Sequence, residues 1–244
     1  MDSLFDASAW AKVWTFRATF ILGLETTVLT ALVALLMALA LGVIFGLCAT
    51  GKIKLLRVLS RVYVELIQNT PLLLQLCFLY YALAFSGRSL GIMMTGMVAL
   101  GIYHGAYISE VVRAGIQAVP VGQMEAAKSQ GFGYLHSMLY IILPQSVKMI
   151  LPPLVNQMVN LIKNTSCLYL VGGTDLISLT YSFVTGVSTG GAYGPAYLVS
   201  GVLFFIICFP LSTLAGYWEH RLKTADTRTV AQPTQPAAEQ EGGA

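Results

Sequence analysis

The chain has 244 residues, of which 56% are apolar and only 10% charged, with a mean hydropathy of +0.72 and a formal net charge of +3. Soluble domains carry roughly a quarter charged residues, and a soluble core of this length needs a far more polar exterior than this composition supplies. A soluble enzyme is therefore excluded and lipid is part of the solvent. With no dense basic run, nucleic acid is not an expected partner.

Residues 1–20 mix Asp2, Asp6, Lys12 and Arg17 with Trp10 and Trp14 and lack the apolar stretch of a signal peptide. They are expected to form a helix at the membrane interface, anchored by Phe5, Trp10, Val13, Trp14 and Phe20. Residues 26–48 carry no charge and, at 1.5 Å per residue, reach about 34 Å, enough for a first span. Within it Ala34, Ala38, Gly42 and Gly46 recur every four residues, a stripe suited to close helix packing. Residues 66–85 form a second span, interrupted in its polar first turns by Pro71.

The third span covers 92–109 and runs on through Glu110 and Arg113. A short fourth, 149–162, is entered near Pro152 and Pro153 and ends in Lys163, Asn164, Thr165 and Ser166. Residues 168–179 are too short to span and read as a re-entrant or interfacial helix. The fifth span is 196–218, interrupted by Pro210, and residues 224–244 have the composition of a disordered tail. The expected organisation is an interfacial helix at 1–20, an all-α membrane domain of five spans at 21–223, and a cytoplasmic tail.

Charge sets the expected orientation. Lys52, Lys54, Arg57 and Arg61 fill the first connection, Lys128 and Lys148 outnumber Glu125 in the third, and Arg221, Lys223 and Arg228 begin the tail. Positive loops stay in the cytoplasm, so the N-terminus is expected outside and the C-terminus inside. Cys48, Cys77, Cys167 and Cys208 are far apart and read as packing residues. The three histidines have no metal-ligand spacing, so neither a metal nor a catalytic set is expected.

Glu110 and Arg113 share a helix face three residues apart. Charges at that depth cost at least ~2.5 kcal/mol when they face lipid, so they pair with each other, lie at an interface with a partner permease, or meet a zwitterionic solute. His104 and Tyr107 lie on one face with Glu110 at its edge, as a polar lining or as interhelical hydrogen bonds. Asn69, Thr70 and Gln75 around Pro71, and Lys163, Asn164 and Thr165 at the end of the fourth span, are further pathway candidates, because broken helices expose backbone dipoles.

The third connection, 119–145, opens with Pro120 and Gly122, forms a short helix over 123–130, stops at Gly131, and continues as an amphipathic run to Pro144. Such a corner fits a soluble partner's groove, or it merely joins two spans. Glu125, Ala126 and Ala127, then three residues, Gly131, nine residues, and Ile141, Ile142, Leu143 and Pro144 reproduce a complete EAA pattern. In this the chain resembles the membrane-spanning permease subunits of ABC importers, above all those for polar amino acids.

The resemblance extends over residues 23–223. Glu65, Thr70, Pro71 and Gln75 match the family's segment at the second span, with Gln68 where arginine is common. Gly105, Ala106, Tyr107, Glu110 and Arg113 match its third-span stretch, and Lys163, Asn164, Thr165 and Ser166 its KNTS segment. Tyr103 and His104 depart from the family's usual Asn and Ser, so the resemblance transfers the role and not the ligand.

The resemblance implies a type I importer in a bacterial inner membrane. It would comprise this chain with a second copy or a paralogue, a cytoplasmic ATPase dimer, and an extracytoplasmic solute-binding protein delivering a polar amino acid. Glu125, Ala126, Ala127, Gly131 and Pro144 would couple to the ATPase, Glu125 either locally paired or meeting a basic residue there. This sequence contains no GxxxxGK[ST] loop, so no cofactor is expected on it, and ATP with magnesium belongs to the partner. The alternative, a secondary transporter or channel, usually shows internal repeats, and none of convincing length is present.

Overall fold

A computed structural model describes residues 6–88, 90–187 and 191–230, with side chains as far as Leu222. Every regular element among the described residues is helical. A nine-residue helix, α1 (Ala7–Thr15), is capped by the Asp6 carboxylate, which accepts from Ser8 N at 2.8 Å. The chain breaks at Phe16 and enters α2 (Arg17–Thr50), 34 residues and about 50 Å long, more than a bilayer's hydrocarbon core.

Trp14 is exposed, but Val13 and Phe20 are not the interfacial anchors expected of them. Both are buried against Leu176, Phe183 and Ala196, with the Phe20 and Phe183 rings 5.3 Å apart. The α1 helix is thus folded onto later parts of the chain, and its apolar face finds protein before it finds lipid. Phe5 lies outside the described residues.

The second span is a broken one. Helices α3 (Lys54–Gln68) and α4 (Leu72–Phe85) meet at 99° around Pro71, which has no N–H to continue the ladder. The side chains beside the break donate to carbonyls at the end of α3 and at the break itself. Asn69 Nδ2 donates to Glu65 O at 2.7 Å, Thr70 Oγ1 to Leu66 O at 2.9 Å, and Gln75 Nε2 to Ile67 O at 2.9 Å and Thr70 O at 3.2 Å.

Helix α5 (Ile92–Gln117) runs beside α2 as the principal pair of the fold. The small-residue stripe is the seam: Ala34, Ala38, Gly42 and Gly46 are all buried in α2, and a Cβ on Gly42 would lie 2.4 Å from Ile108 Cγ2. Helix α6 (Val121–Ser129) and a short α7 (Tyr134–Ser137) follow. A π-helical turn, Met138–Ile142, then leads into α8 (Leu143–Asn164). Pro144 does not end that run as expected; it occupies the first turn of α8, where a missing N–H costs nothing. The fourth span accordingly starts well before 149, in a continuous helical stretch Tyr134–Val171 that contains both Pro152 and Pro153.

The segment expected as one re-entrant helix over 168–179 is two elements. A 3₁₀ stretch, Thr165–Val171, stops at Gly172, whose φ of +79° turns the chain, and α9 (Leu176–Thr185) begins afresh at Asp175. The last helix, α10 (Tyr193–Val230), passes the point where the tail was expected to begin; 231–244 lie outside the described residues. Helices α2, α5, Tyr134–Val171 and Tyr193–Leu222 are long and apolar enough to cross a membrane, and the bent α3–α4 pair makes five spans.

A polar joint fastens α9 to α2 and α10. Thr26 Oγ1 donates to Thr174 O at 2.5 Å, Leu176 N donates to Thr27 Oγ1 at 3.0 Å, and the Thr180 and Ser200 hydroxyls are 2.6 Å apart. At its centre the fully buried Asp175 carboxylate caps α9, accepting from Ile177 N at 3.0 Å and from the Ser178 hydroxyl. Burial raises its carboxyl above the ordinary carboxylate range, against the opposing pull of these donors.

The folded chain therefore holds that proton to higher pH than the unfolded chain, whose value is about 3.9. The resulting contribution to stability is complete below that value and is lost as pH rises through the raised one. Asp175→Asn should flatten this dependence in melting curves across that interval. Asp175→Ala should lower stability by about 1 kcal/mol through loss of the cap.

Candidate functional site

Helix α5 carries the polar residues that the seam with α2 leaves free. One turn after another, Tyr103, Tyr107, Glu110, Arg113 and Gln117 fall along a partly exposed side of the rod, while Ile108, Val112 and Ile116 are buried. Two cavities open along that side.

The first, about 360 Å³, lies between α5 and α8. The α5 wall is aromatic: the Tyr103 and Tyr107 hydroxyls are 3.0 Å apart, their rings 5.0 Å, and His104 is tucked behind them. The α8 wall is amide: Gln157, Asn160 and Asn164, with Lys163 at the edge. Asn164 Nδ2 and His104 Nε2 are hydrogen-bonded at 3.1 Å, leaving Nδ1 as the ring's second polar atom. That Nδ1 is buried and has no hydrogen-bond partner among the described residues.

The second is a larger groove of about 730 Å³ between α3 and the last turns of α5. Lys54, Arg57, Arg61, Glu65 and Gln68 recur at helical spacing along the α3 wall, and Glu110, Arg113 and Gln117 form the α5 wall. Exposed Leu55, Leu59, Val62 and Leu66 share α3, making it amphipathic. Tyr63 Oη donates to Ile102 O at 2.6 Å and Gln68 Nε2 to Ala106 O at 3.4 Å, which ties α3 across α5.

Glu110 and Arg113 pair with each other. Arg113 Nε donates to Glu110 Oε2 at 2.8 Å, its Nη2 donates to Glu110 Oε1, and its Nη1 donates to Gln117 Oε1 at 2.5 Å. Tyr107, His104 and Asn164 come together at the first cavity. Glu110 and Arg113 line the groove instead, while Asn69, Thr70 and Gln75 serve the α3–α4 break. Thr165 is fully buried and donates to Ile162 O at 2.8 Å.

Sequence reasoning passed over Gln157 and Asn160. Their signal was available: 157, 160 and 164 fall three and four apart and so share one face of α8. The α3 cations that set the expected orientation also line the groove.

The EAA segment forms a corner at the end of α5. Val119 and Ala127 are buried and Met124 packs against the core, which fixes α6 while Glu125, Ala126 and Gly131 stay exposed. Helix α6 stops because Gly131, at φ +83°, reverses the chain: Gly131 N donates to Lys128 O at 2.9 Å and Phe132 N to Ala127 O at 3.0 Å. Glu125 makes no side-chain hydrogen bond or ion pair among the described residues. Beyond the corner, Phe132, His136 and Tyr140 stack in succession, with ring centroids 5.3 and 4.4 Å apart.

The chain is similar to known proteins in sequence and in structure. The probable glutamine ABC transporter permease protein GlnM of Bacillus subtilis is 41% identical over 201 residues, covering 82% of this chain and 92% of its own. The crystal structure of an amino acid ABC transporter with histidines superposes with a TM-score of 0.79 at 31% identity, over 86% of this chain and 96% of that one. The inward-facing MetNI methionine ABC transporter shares the fold, with a TM-score of 0.61 at 18% identity over 84% of this chain and 97% of its own. Residues 38–224 match the family described as binding-protein-dependent transport system inner membrane components, and the chain belongs to that family.

Proposed function

We propose that the chain is the membrane-spanning permease of an ATP-driven importer of polar amino acids. The observation that carries this reading is the course of α5. One side of it runs from the aromatic and amide cavity to the polar groove and ends beside an exposed α6 corner. A solute route and a surface for a motor thus share one rigid element. The names of the similar proteins, a glutamine permease and an amino acid transporter, support the solute class.

In this reading the first cavity receives the amino acid, with Tyr107, Asn160, Asn164 and Lys163 as contacts and His104 positioning Asn164. The groove is the cytoplasmic half of the route, with the N-terminus outside and the C-terminus inside, as the positive loops require. An ATPase dimer, with its own ATP and magnesium, docks on the exposed Glu125, Ala126 and Gly131, while the buried Ala127 holds α6 in place. Pro144 starts the span that the docked corner moves. A second permease copy or paralogue completes the route, and an extracytoplasmic binding protein loads it in the bacterial inner membrane. ATP does work only by favouring one orientation of the spans over the other.

The test is reconstitution in proteoliposomes with the cognate ATPase and binding protein. Glutamine uptake is expected to require all three components and ATP. Uptake by this chain alone, without nucleotide, would overturn the reading in favour of a secondary carrier.

A further inference from the structure

The two cavities share an electrostatic asymmetry. Each carboxylate lining the groove has an arginine beside it: Glu110 is held by Arg113 through both oxygens, and Glu65 lies 4.0 Å from Arg61. No carboxylate lines the first cavity, where the buried His104 is hydrogen-bonded to Asn164. Lys163 at that cavity, and Lys54 and Arg57 in the groove, have no acidic partner among the described residues. From end to end, the uncompensated charge along this side of α5 is positive.

We propose that the route is selective for charge, admitting amino acids with amide or acidic side chains and rejecting those with cationic ones. This rests on the permease reading of the two cavities. Lys163 meets a carboxylate, and the amides of Gln157, Asn160 and Asn164 can donate to and accept from a side-chain amide or accommodate a second carboxylate. The Tyr103 and Tyr107 rings offer their faces to the α-ammonium, which every amino acid carries. A second ammonium or a guanidinium finds no free carboxylate in either cavity and meets three cations on its way. Low-dielectric walls focus such a field, so an anion is concentrated over a cation of equal size.

Charged thiol reagents read this field without any need for transport. In the permease–ATPase complex, with Cys48, Cys77, Cys167 and Cys208 replaced by alanine, single cysteines are introduced as Asn160→Cys in the cavity and Val64→Cys in the groove. Rates are compared for the anionic sulfonatoethyl and cationic trimethylammonium-ethyl methanethiosulfonates, with Val187→Cys, fully exposed, as reference. Relative to the reference, the anion is expected to react about tenfold faster than the cation at both positions. Adding Lys163→Gln should reduce the preference at 160, and Lys163→Glu should reverse it.

Arg57→Gln should reduce the preference at 64, which gives an independent variant should the Lys163 changes impair folding. A ratio equal to the reference, a cation preference, indifference to Lys163→Glu, or no reaction at either position would overturn the proposal. These ratios do not measure uptake and so do not bear on the permease reading, whereas nucleotide-free uptake by the unaltered chain would sink that reading without altering the ratios.

Discussion

Gly131→Asp is expected to leave the chain folded in the membrane while weakening its association with the ATPase roughly a hundredfold, about 3 kcal/mol. The position demands a left-handed backbone, φ +83°, which aspartate tolerates better than most residues. A Cβ there meets nothing within 4 Å in the chain, so little is disturbed internally. On the proposed docking, a carboxylate at this exposed corner is carried unpaired into the contact, next to Glu125, and its desolvation is the dominant cost.

Co-purification of the ATPase and ATP-dependent uptake measure the effect. Gly131→Asn, which keeps the turn without the charge, should retain most of the association. Gly133→Ala, at an ordinary φ and also facing open space, should change nothing. Undiminished association of Gly131→Asp would mean that the corner is not a contact surface.

The second large effect belongs to the α2–α5 seam. Gly46→Val should sharply reduce the yield of monodisperse protein extracted in detergent and lower its melting midpoint. A Cβ at position 46 lies 2.6 Å from Val112 Cβ and 2.9 Å from the Ser109 carbonyl oxygen, so truncating a side chain cannot make room and the helices must separate. Overpacking of this kind costs about 1–3 kcal/mol, and the valine methyls add to it. Without a hydrophobic drive between helices in lipid, the close approach itself supplies the association, so its loss falls directly on stability. Gly201→Ala on α10, where nothing lies within 4 Å, is the control and should be neutral or mildly stabilising.

These two glycines differ in how far their roles could be read from the chain. Gly131 was legible because a helix stop is local: the reversal is made by hydrogen bonds to residues three and five positions back. The stripe of Gly42 and Gly46 announced a close contact, but the partner, α5, lies more than sixty residues further on. Tyr107, His104 and Asn164 were each singled out, yet nothing in their local spacing places them at one cavity, and Gln157 and Asn160 were overlooked on the facing wall. Asn69, Thr70 and Gln75 looked like pathway residues because they are polar inside a span. Their hydrogen bonds go to carbonyls in the last turn of α3, with Gln75 reaching the Ile67 carbonyl that Pro71 has no N–H to meet.

Sequence by itself determined the five spans, the break at Pro71 and the corner at Gly131. Each follows from forces acting within a few residues: hydrocarbon selects runs of about twenty apolar side chains, proline removes a donor, and glycine permits a positive φ. Tertiary structure alone decided that Val13 and Phe20 point into protein, that Glu110 is engaged by Arg113, and that α5 and α8 face each other across a cavity. Those outcomes depend on which helix lies against which. In a chain whose apolar surface is indifferent between lipid and protein, that choice is made by shape and by buried polar pairs between distant residues.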